Sequence, residues 1–366
     1  DNPIGQAVWL DLSGTMTETI LISPFAGCGP QQIPNRVYSD NGLYQREMEA
    51  FFYKGHWCYV ALECEIPNAG DYKATMIGER PVIVVRDRDG SVNVLENRCA
   101  HKGAKFCQKE FGNAKVFVCP YHQWGYRLNG ELAGVPMKNG VGGQGGMDAD
   151  FKLEEHGLNR LKVQVHNGIV FASFDPDVEP FEQFIGSGLM PFFNRTFDGR
   201  KLTLLGYNRQ RIRGNWKLMQ ENIKDPYHPG LLHVFFVTFG LWRADQKSEL
   251  RIDPRGRHAQ MISTRNAGGE NAEVTKGVTS FKRALKLEDP RLMDVVQEGW
   301  WQGPTAVMQT IFPSVIIQQQ VNSLSTRQII PQGPDAFDFV WTHFGFADDT
   351  PEMTERRLKQ ANLFGP

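Results

Sequence analysis

The sequence predicts an α+β protein in which a small all-β domain is inserted in, or precedes, a larger domain of mixed helix and sheet. Three observations predict it. Residues 36–54 read as helix, residues from about 57 to 174 break into short β runs, and the chain after about 175 mixes capped helices with longer β runs. A length of 366 residues suits two domains.

The elements follow in order. Ser39 or Asp40 is placed to cap a helix that continues through Phe52. Val82-Ile83-Val84-Val85 and Val92-Asn93-Val94-Leu95 flank Asp87-Arg88-Asp89-Gly90, a hairpin turn. Val116-Phe117-Val118 runs straight into Cys119, and Asn129-Gly130 marks another turn. Six glycines between residues 134 and 146 mark a loop. Residues 161–165 and 169–174 complete the β region. Beyond it, 202–205 reads as a strand, and Asn215 can cap a helix that begins at Trp216. Two long β runs follow, 314–330 and 337–346. A charged helix, 351–363, closes the sequence with Pro351 in its first turn. The domains expected are 1–54 (N-terminal segment and helix, part of the larger domain), 55–165 (the β domain) and 166–366.

Composition narrows the function. At 41% hydrophobic and 22% charged residues, the chain reads as globular and soluble. A net charge of −1 suggests neither a nucleic-acid surface nor a polybasic membrane contact. The most apolar stretch, 230–242, is interrupted by His233 and is too short to span a bilayer. The expected compartment is the cytoplasm. Residues 1–15 precede the first methionine, Met16, and are expected to be non-native. Of six cysteines, at 28, 58, 64, 99, 107 and 119, only Cys99 and Cys119 have a histidine within three residues. The rest are expected to be structural thiols.

Cys99-Ala100-His101 and Cys119-Pro120-Tyr121-His122 form the first constellation, Cys-x-His and Cys-x-x-His separated by 17 residues. Two thiolates suit one iron of a two-iron cluster and two imidazoles the other. Neutral imidazoles in place of thiolates raise the reduction potential. Trp124 and Tyr126 are placed to shield such a cluster. Zinc also accepts two Cys and two His, but its sites usually pair like with like. Here each pair is mixed, which favours iron–sulfur. Incidental histidines beside buried cysteines would not be expected at paired spacing.

Asp225, His228 and His233 form the second. Two imidazoles and a carboxylate on one side of a metal give a non-haem iron site with open positions for oxygen. His228 and His233 are five residues apart and would diverge on a regular helix. Pro229 disfavours helix at His228, so a broken helix is expected, which would let the rings converge. Taken alone, the spacing is weak, and Asp225 would more often be a turn or cap residue.

Both segments resemble the large subunits of Rieske non-haem iron aromatic-ring-hydroxylating oxygenases. The carrying residues are 96–101, 119–124, 220–233, 316–327 and 360–366, and the likeness runs from about residue 33 to the end. Within that family the chain most resembles salicylate 5-hydroxylase large subunits, with anthranilate and terephthalate dioxygenases more distant. The resemblance implies an all-β Rieske [2Fe-2S] domain inserted in a helix-grip catalytic domain. It implies that Cys99, His101, Cys119 and His122 hold the cluster and that His228 and His233 hold a mononuclear iron. Asp225 would then not be the iron carboxylate. It would bridge an iron-ligand histidine to a Rieske histidine of the neighbouring subunit, a carboxylate orienting metal-bound imidazoles. The iron carboxylate would follow the Asn-Leu-x-Gly-Pro segment and is expected beyond Pro366.

The implied activity is hydroxylation of an aromatic carboxylic acid with O2 and NADH-derived electrons. The leading reading is salicylate 5-hydroxylation to gentisate, and the alternative is an anthranilate, benzoate or terephthalate-type dioxygenase. Implied partners are an NADH-dependent reductase, directly or through a ferredoxin, and a small β subunit in an α3 or α3β3 assembly. Readings from other classes are a non-catalytic Rieske electron carrier, which would need no second site, and a zinc-stabilised binding module. For the substrate, alternation along a single strand 316–327 puts Gln319, Val321, Ser323, Ser325 and Arg327 on one face and Gln318, Gln320 and Asn322 on the other, and either face could line a pocket. Gln319 and Arg327 are the substrate-binding candidates, Arg327 as a carboxylate clamp. Trp300, Trp301, Phe235 and Phe236 are candidate pocket walls.

Overall fold

A computed structural model describes residues 25, 27–29, 32–241, 246–264, 282, 284–289, 292 and 294–365. Residues 1–15 and the expected ligand past Pro366 lie outside them. Two short helices come first, α1 (Arg36–Ser39) and α2 (Asn41–Glu47), with Asp40 accepting from the Leu43 amide at 2.6 Å as the cap of α2. A π-helical turn, Met48–Phe52, extends it.

The β region holds ten strands. They are β1 (Cys58–Leu62), β2 (Asp71–Ile77), β3 (Arg80–Arg86), β4 (Val92–Glu96), β5 (Phe111–Asn113), β6 (Phe117–Val118), β7 (Gly125–Tyr126), β8 (Leu132–Gly134), β9 (Lys162–His166) and β10 (Ile169–Ser173). Two antiparallel sheets, ordered β4-β3-β2-β5 and β6-β7-β8, enclose a core in which Ile83, Leu95, Phe117 and Tyr126 surround Cys99 and Cys119. The β1-β10-β9 sheet belongs elsewhere: Tyr59 on β1 takes hydrogen bonds from Thr326 and Gln328 of the larger domain. The boundary drawn at 165 therefore falls inside the β9–β10 hairpin, whose strands pair in register from Ile169 with His166 to Ser173 with Lys162.

Helices α3 (Phe181–Ile185) and α4 (Met190–Thr196) precede the main sheet. Its strands are β11 (Leu202–Arg213), β12 (Lys247–Ile252), β13 (Ala259–Thr264), β14 (Ala306–Ile311), β15 (Val315–Gln320), β16 (Ser323–Pro331) and β17 (Ala336–Phe346). They form one antiparallel sheet ordered β11-β17-β16-β15-β14-β13-β12. Helices α5 (Lys217–Asn222), α6 (Pro229–Leu232) and α7 (Val234–Thr238) leave its first strand, and α8 (Pro351–Phe364) lies against β16 and β17. Thr350 caps α8 by accepting from the Met353 amide. Among the described residues, no helix is long and apolar enough to cross a membrane.

One expectation fails instructively. The single strand read over 316–327 is a hairpin, because Val321 turns into the left-handed region (φ 47°) and Gln320 pairs back onto Ser323. Cross-strand partners share a face, so Arg327, opposite Ile316, lies with Gln318 and Gln320. Gln319 faces the other way.

Candidate metal centres and cavity

Two loops present the Cys/His pairs. Around Cys99, the Cys99 amide donates to the Ala104 carbonyl and the Gly103 amide to the Cys99 carbonyl, with Gly103 at φ 70°. Around Cys119, the Cys119 amide donates to Trp124 and the Gln123 amide back to Cys119. The thiols point inward, at 3% and 1% exposure, while His122 is exposed and His101 half-buried. The two imidazoles meet edge to face with centroids 4.6 Å apart, and Trp124 stacks on His101 at 4.9 Å. Burial, then His122 and Lys102, hold His101 below its ordinary pKa, so it is neutral as a ligand must be. Its Nδ1 has no hydrogen-bond partner among the described residues. The Tyr126 hydroxyl lies 3.1 Å from the Cys99 sulfur and accepts from the Ala100 amide.

Among the described residues, no three His, Cys, Asp or Glu side chains converge on a point where one ion could sit. One zinc would need all four donors around it. A two-iron cluster needs the buried thiolates on one iron and the outer imidazoles on the other, and the donor set fits that group.

The second site sits where the chain breaks. α5 ends at Asn222, and Asp225 then organises a turn: its carboxylate accepts from the Tyr227 amide at 2.8 Å. His228 Nδ1 donates to the Asp225 carbonyl at 2.8 Å, with the carboxylate 3.4 Å away. A carbonyl cannot donate, so the proton is on Nδ1 and Nε2 carries the lone pair, toward which the Asn222 side-chain amide donates at 3.4 Å. His233, at φ −90° and ψ 78°, separates α6 from α7. That break swings its ring to 5.1 Å from the ring of His228. Burial, then His228, depress the His233 pKa, keeping it neutral as well.

Both imidazoles line a cavity of about 650 Å³. Its apolar walls include Phe235, Phe236, Met261, Met308, Phe339 and Trp341, and its polar lining includes Gln320 and Arg327. Such a mixture suits an aromatic ring bearing one anionic group. Arg327 is 7% exposed and, among the described residues, no carboxylate stands within salt-bridge distance of it.

Several candidates are relocated. Gln319 is not in this lining. Its side chain accepts from Arg195 Nη1 at 2.6 Å and donates to the Thr305 and Val321 carbonyls, as a buried amide must to be satisfied. Trp300 and Trp301 line a separate cavity beside Arg195. Gln320, from the opposite face of the expected strand, and Trp341, which the sequence did not single out, take their place. Reading Val321-Asn322 as a turn would have shifted the parity and found Gln320. Trp341 reaches the cavity through cross-strand pairing with Arg327, which no local signal announces.

A β domain offering paired thiolates and imidazoles, joined in one chain to a two-histidine cavity on a second sheet, defines a Rieske-type oxygenase. Residues 56–144 match the Rieske [2Fe-2S] domain, and residues 200–364 match the catalytic domain of ring-hydroxylating alpha subunits. The chain is 65% identical over 344 residues to the large oxygenase component of salicylate 5-hydroxylase from Ralstonia sp, covering 93% of this chain and 81% of that one. It is 42% identical to the anthranilate 1,2-dioxygenase large subunit of Burkholderia cepacia, over 92% of this chain and 79% of that one. Among solved structures, naphthalene 1,2-dioxygenase from Rhodococcus sp. bound to indole superposes with a TM-score of 0.74 at 26% identity, covering 90% of this chain and 77% of the other. The chain belongs to the ring-hydroxylating oxygenase large subunits, whose cofactors are a [2Fe-2S] cluster and a mononuclear iron.

Proposed function

We propose that this chain is the large subunit of a terminal oxygenase that hydroxylates salicylate to gentisate. The observation that carries it is Arg327, a buried guanidinium without a carboxylate partner among the described residues, in the same apolar cavity as His228 and His233. Leaving a buried cation unpaired is costly, so the cavity is built to receive an anion. The likeness to a salicylate 5-hydroxylase component selects salicylate among aromatic acids.

Cys99 and Cys119 would hold one iron of the cluster and His101 and His122 the other. His228, through Nε2, and His233 would hold the mononuclear iron. When bound, these groups supply single electrons and the activation of O2. The residues do the rest. Arg327 fixes the substrate carboxylate, the aromatic and methionine walls exclude water, and the Asp225 carbonyl fixes the tautomer of His228. The Asp225 carboxylate, half exposed, is left to meet a Rieske histidine of a neighbouring subunit. Over one turnover one oxygen atom enters the ring and the other leaves as water, using two electrons and two protons. The electrons come from an NADH-dependent reductase, directly or through a ferredoxin. The assembly is α3 or α3β3, with a small subunit as further partner.

The test is oxygen uptake with product analysis, using full-length protein and its reductase, on salicylate, anthranilate, benzoate and terephthalate. Salicylate should couple uptake to gentisate. Coupled dihydroxylation of one of the others, with none on salicylate, would move the assignment to a ring dioxygenase.

A further inference from the structure

The arginine in the cavity raises a physical question that its role as a clamp does not answer. A guanidinium removed from water needs something to hold it and keep it charged before substrate arrives. Burial alone pulls Arg327 down to a pKa of about 9, and its Nε has no hydrogen-bond partner among the described residues. What does touch it is an aromatic face. The guanidinium carbon lies 3.9 Å from the centroid of the Trp341 ring, its cross-strand partner on β17. His343, two residues further along β17, stacks on Trp341 at 5.9 Å with planes 25° apart. His343 Nε2 is 2.7 Å from the Asn208 side-chain oxygen, which can only accept, so the ring is anchored as a donor. Burial, then Arg327 itself, push His343 to about 4, which keeps it uncharged. The stack thus contains one positive charge, at its cavity end.

We propose that Trp341, backed by His343, is a positioning residue that sets specificity for carboxylated rings by holding the Arg327 guanidinium flat and poised for the substrate anion. The inference rests on the reading of Arg327 as the carboxylate clamp. Trp341 acts through the arginine, by a cation–π contact strengthened where water is excluded. Its indole also forms cavity wall, so a merely structural role would affect every aromatic ligand alike. A positioning role affects only ligands that use the guanidinium.

The measurement is equilibrium binding to the holoenzyme of salicylate and of its neutral isostere salicylamide, by titration calorimetry. In Arg327→Met, salicylate should bind no better than salicylamide; unchanged salicylate binding there would overturn the clamp itself. In Trp341→Leu, the salicylate Kd should rise about tenfold more than the salicylamide Kd. Trp341→Phe retains a face, so its salicylate loss should be only about two- to threefold. In the Arg327→Met background, Trp341→Leu should change salicylate and salicylamide binding by the same factor. An equal loss for both ligands in Trp341→Leu, or no loss for either, while Arg327→Met loses salicylate in preference to salicylamide, would refute the positioning role and leave the clamp standing. Should Trp341→Leu not fold, Trp341→Phe decides on the same terms.

Discussion

At the residue scale, the two metal centres separate by what each side chain already does in the fold. His228 has committed Nδ1 to the Asp225 carbonyl at 2.8 Å, leaving one nitrogen for a metal. His228→Ala is expected to remove the mononuclear iron, and with it hydroxylation, while the visible absorbance of the cluster stays. Iron analysis beside an absorbance spectrum checks this, and loss of the cluster colour would contradict the assignment. Tyr126 supplies a finer case. Its hydroxyl, 3.1 Å from the Cys99 sulfur, would favour the reduced form of a cluster held by Cys99, because reduction adds negative charge to the thiolates. Removing a hydrogen bond of about 0.5–1.5 kcal/mol shifts a one-electron couple by roughly 20–60 mV. Tyr126→Phe should therefore lower the cluster potential by that amount in an EPR-monitored redox titration. An unchanged or raised potential would count against the contact.

At the scale of elements, the β15–β16 hairpin shows what the sequence conceals. The run from Ser314 to Ile330 is apolar and β-branched enough to read as one strand, and its turn uses Val321, a residue that rarely adopts positive φ. The information that forces the turn is non-local. Asn322, fully buried, bonds the Val296 amide and carbonyl and the Glu298 carboxylate, while its own amide donates to Gln360 on α8. None of those partners is near it in sequence. Asn322→Ala should cost about 2–4 kcal/mol in denaturant titration, since it strands several buried groups at once. A loss under 1 kcal/mol would show that the turn is held by other means. By contrast, the two Cys/His loops were legible because the members of each pair lie within three residues of each other, and the broken helix because Pro229 sits beside His228. His258 ties three further elements together. It accepts from the Phe312 amide at 3.1 Å through Nδ1 and donates from Nε2 to the Phe184 carbonyl at 2.8 Å. Both bonds need a neutral ring, and burial lowers its pKa from 6.5 to about 4. Because the folded value is the depressed one, its stabilisation is complete above about pH 6.5. It is lost as pH falls toward 4, at about 1.4 kcal/mol per unit for a single site. His258→Gln should flatten that part of a stability-versus-pH curve, and an unaltered slope would remove His258 as its source.

At the scale of the whole molecule, the small β domain and the larger sheet are held to each other within one chain. One buried polar knot joins them. Glu65, just after β1, accepts from Tyr207 on β11 at 2.6 Å, from the Leu62 amide at 2.7 Å and from Lys73 on β2 at 2.9 Å. The carboxylate side chain is 0% exposed and that of Lys73 is 3% exposed. A pair this dry contributes through completeness rather than through net attraction, because each charge has lost its water and depends on the other. The sequence shows Glu65 and Lys73 only as charged residues near β runs, and nothing local marks Tyr207 as their partner 142 residues from Glu65. Removing one partner should be far worse than removing both. Lys73→Met leaves the carboxylate buried with only neutral donors and should cost about 3–5 kcal/mol. Adding Glu65→Gln, which removes the charge and keeps an acceptor for Tyr207, should restore part of that loss. Denaturant unfolding followed in parallel by cluster visible CD and far-UV CD measures both. If the double variant is no more stable than Lys73→Met alone, the knot is held by packing and not by charge compensation.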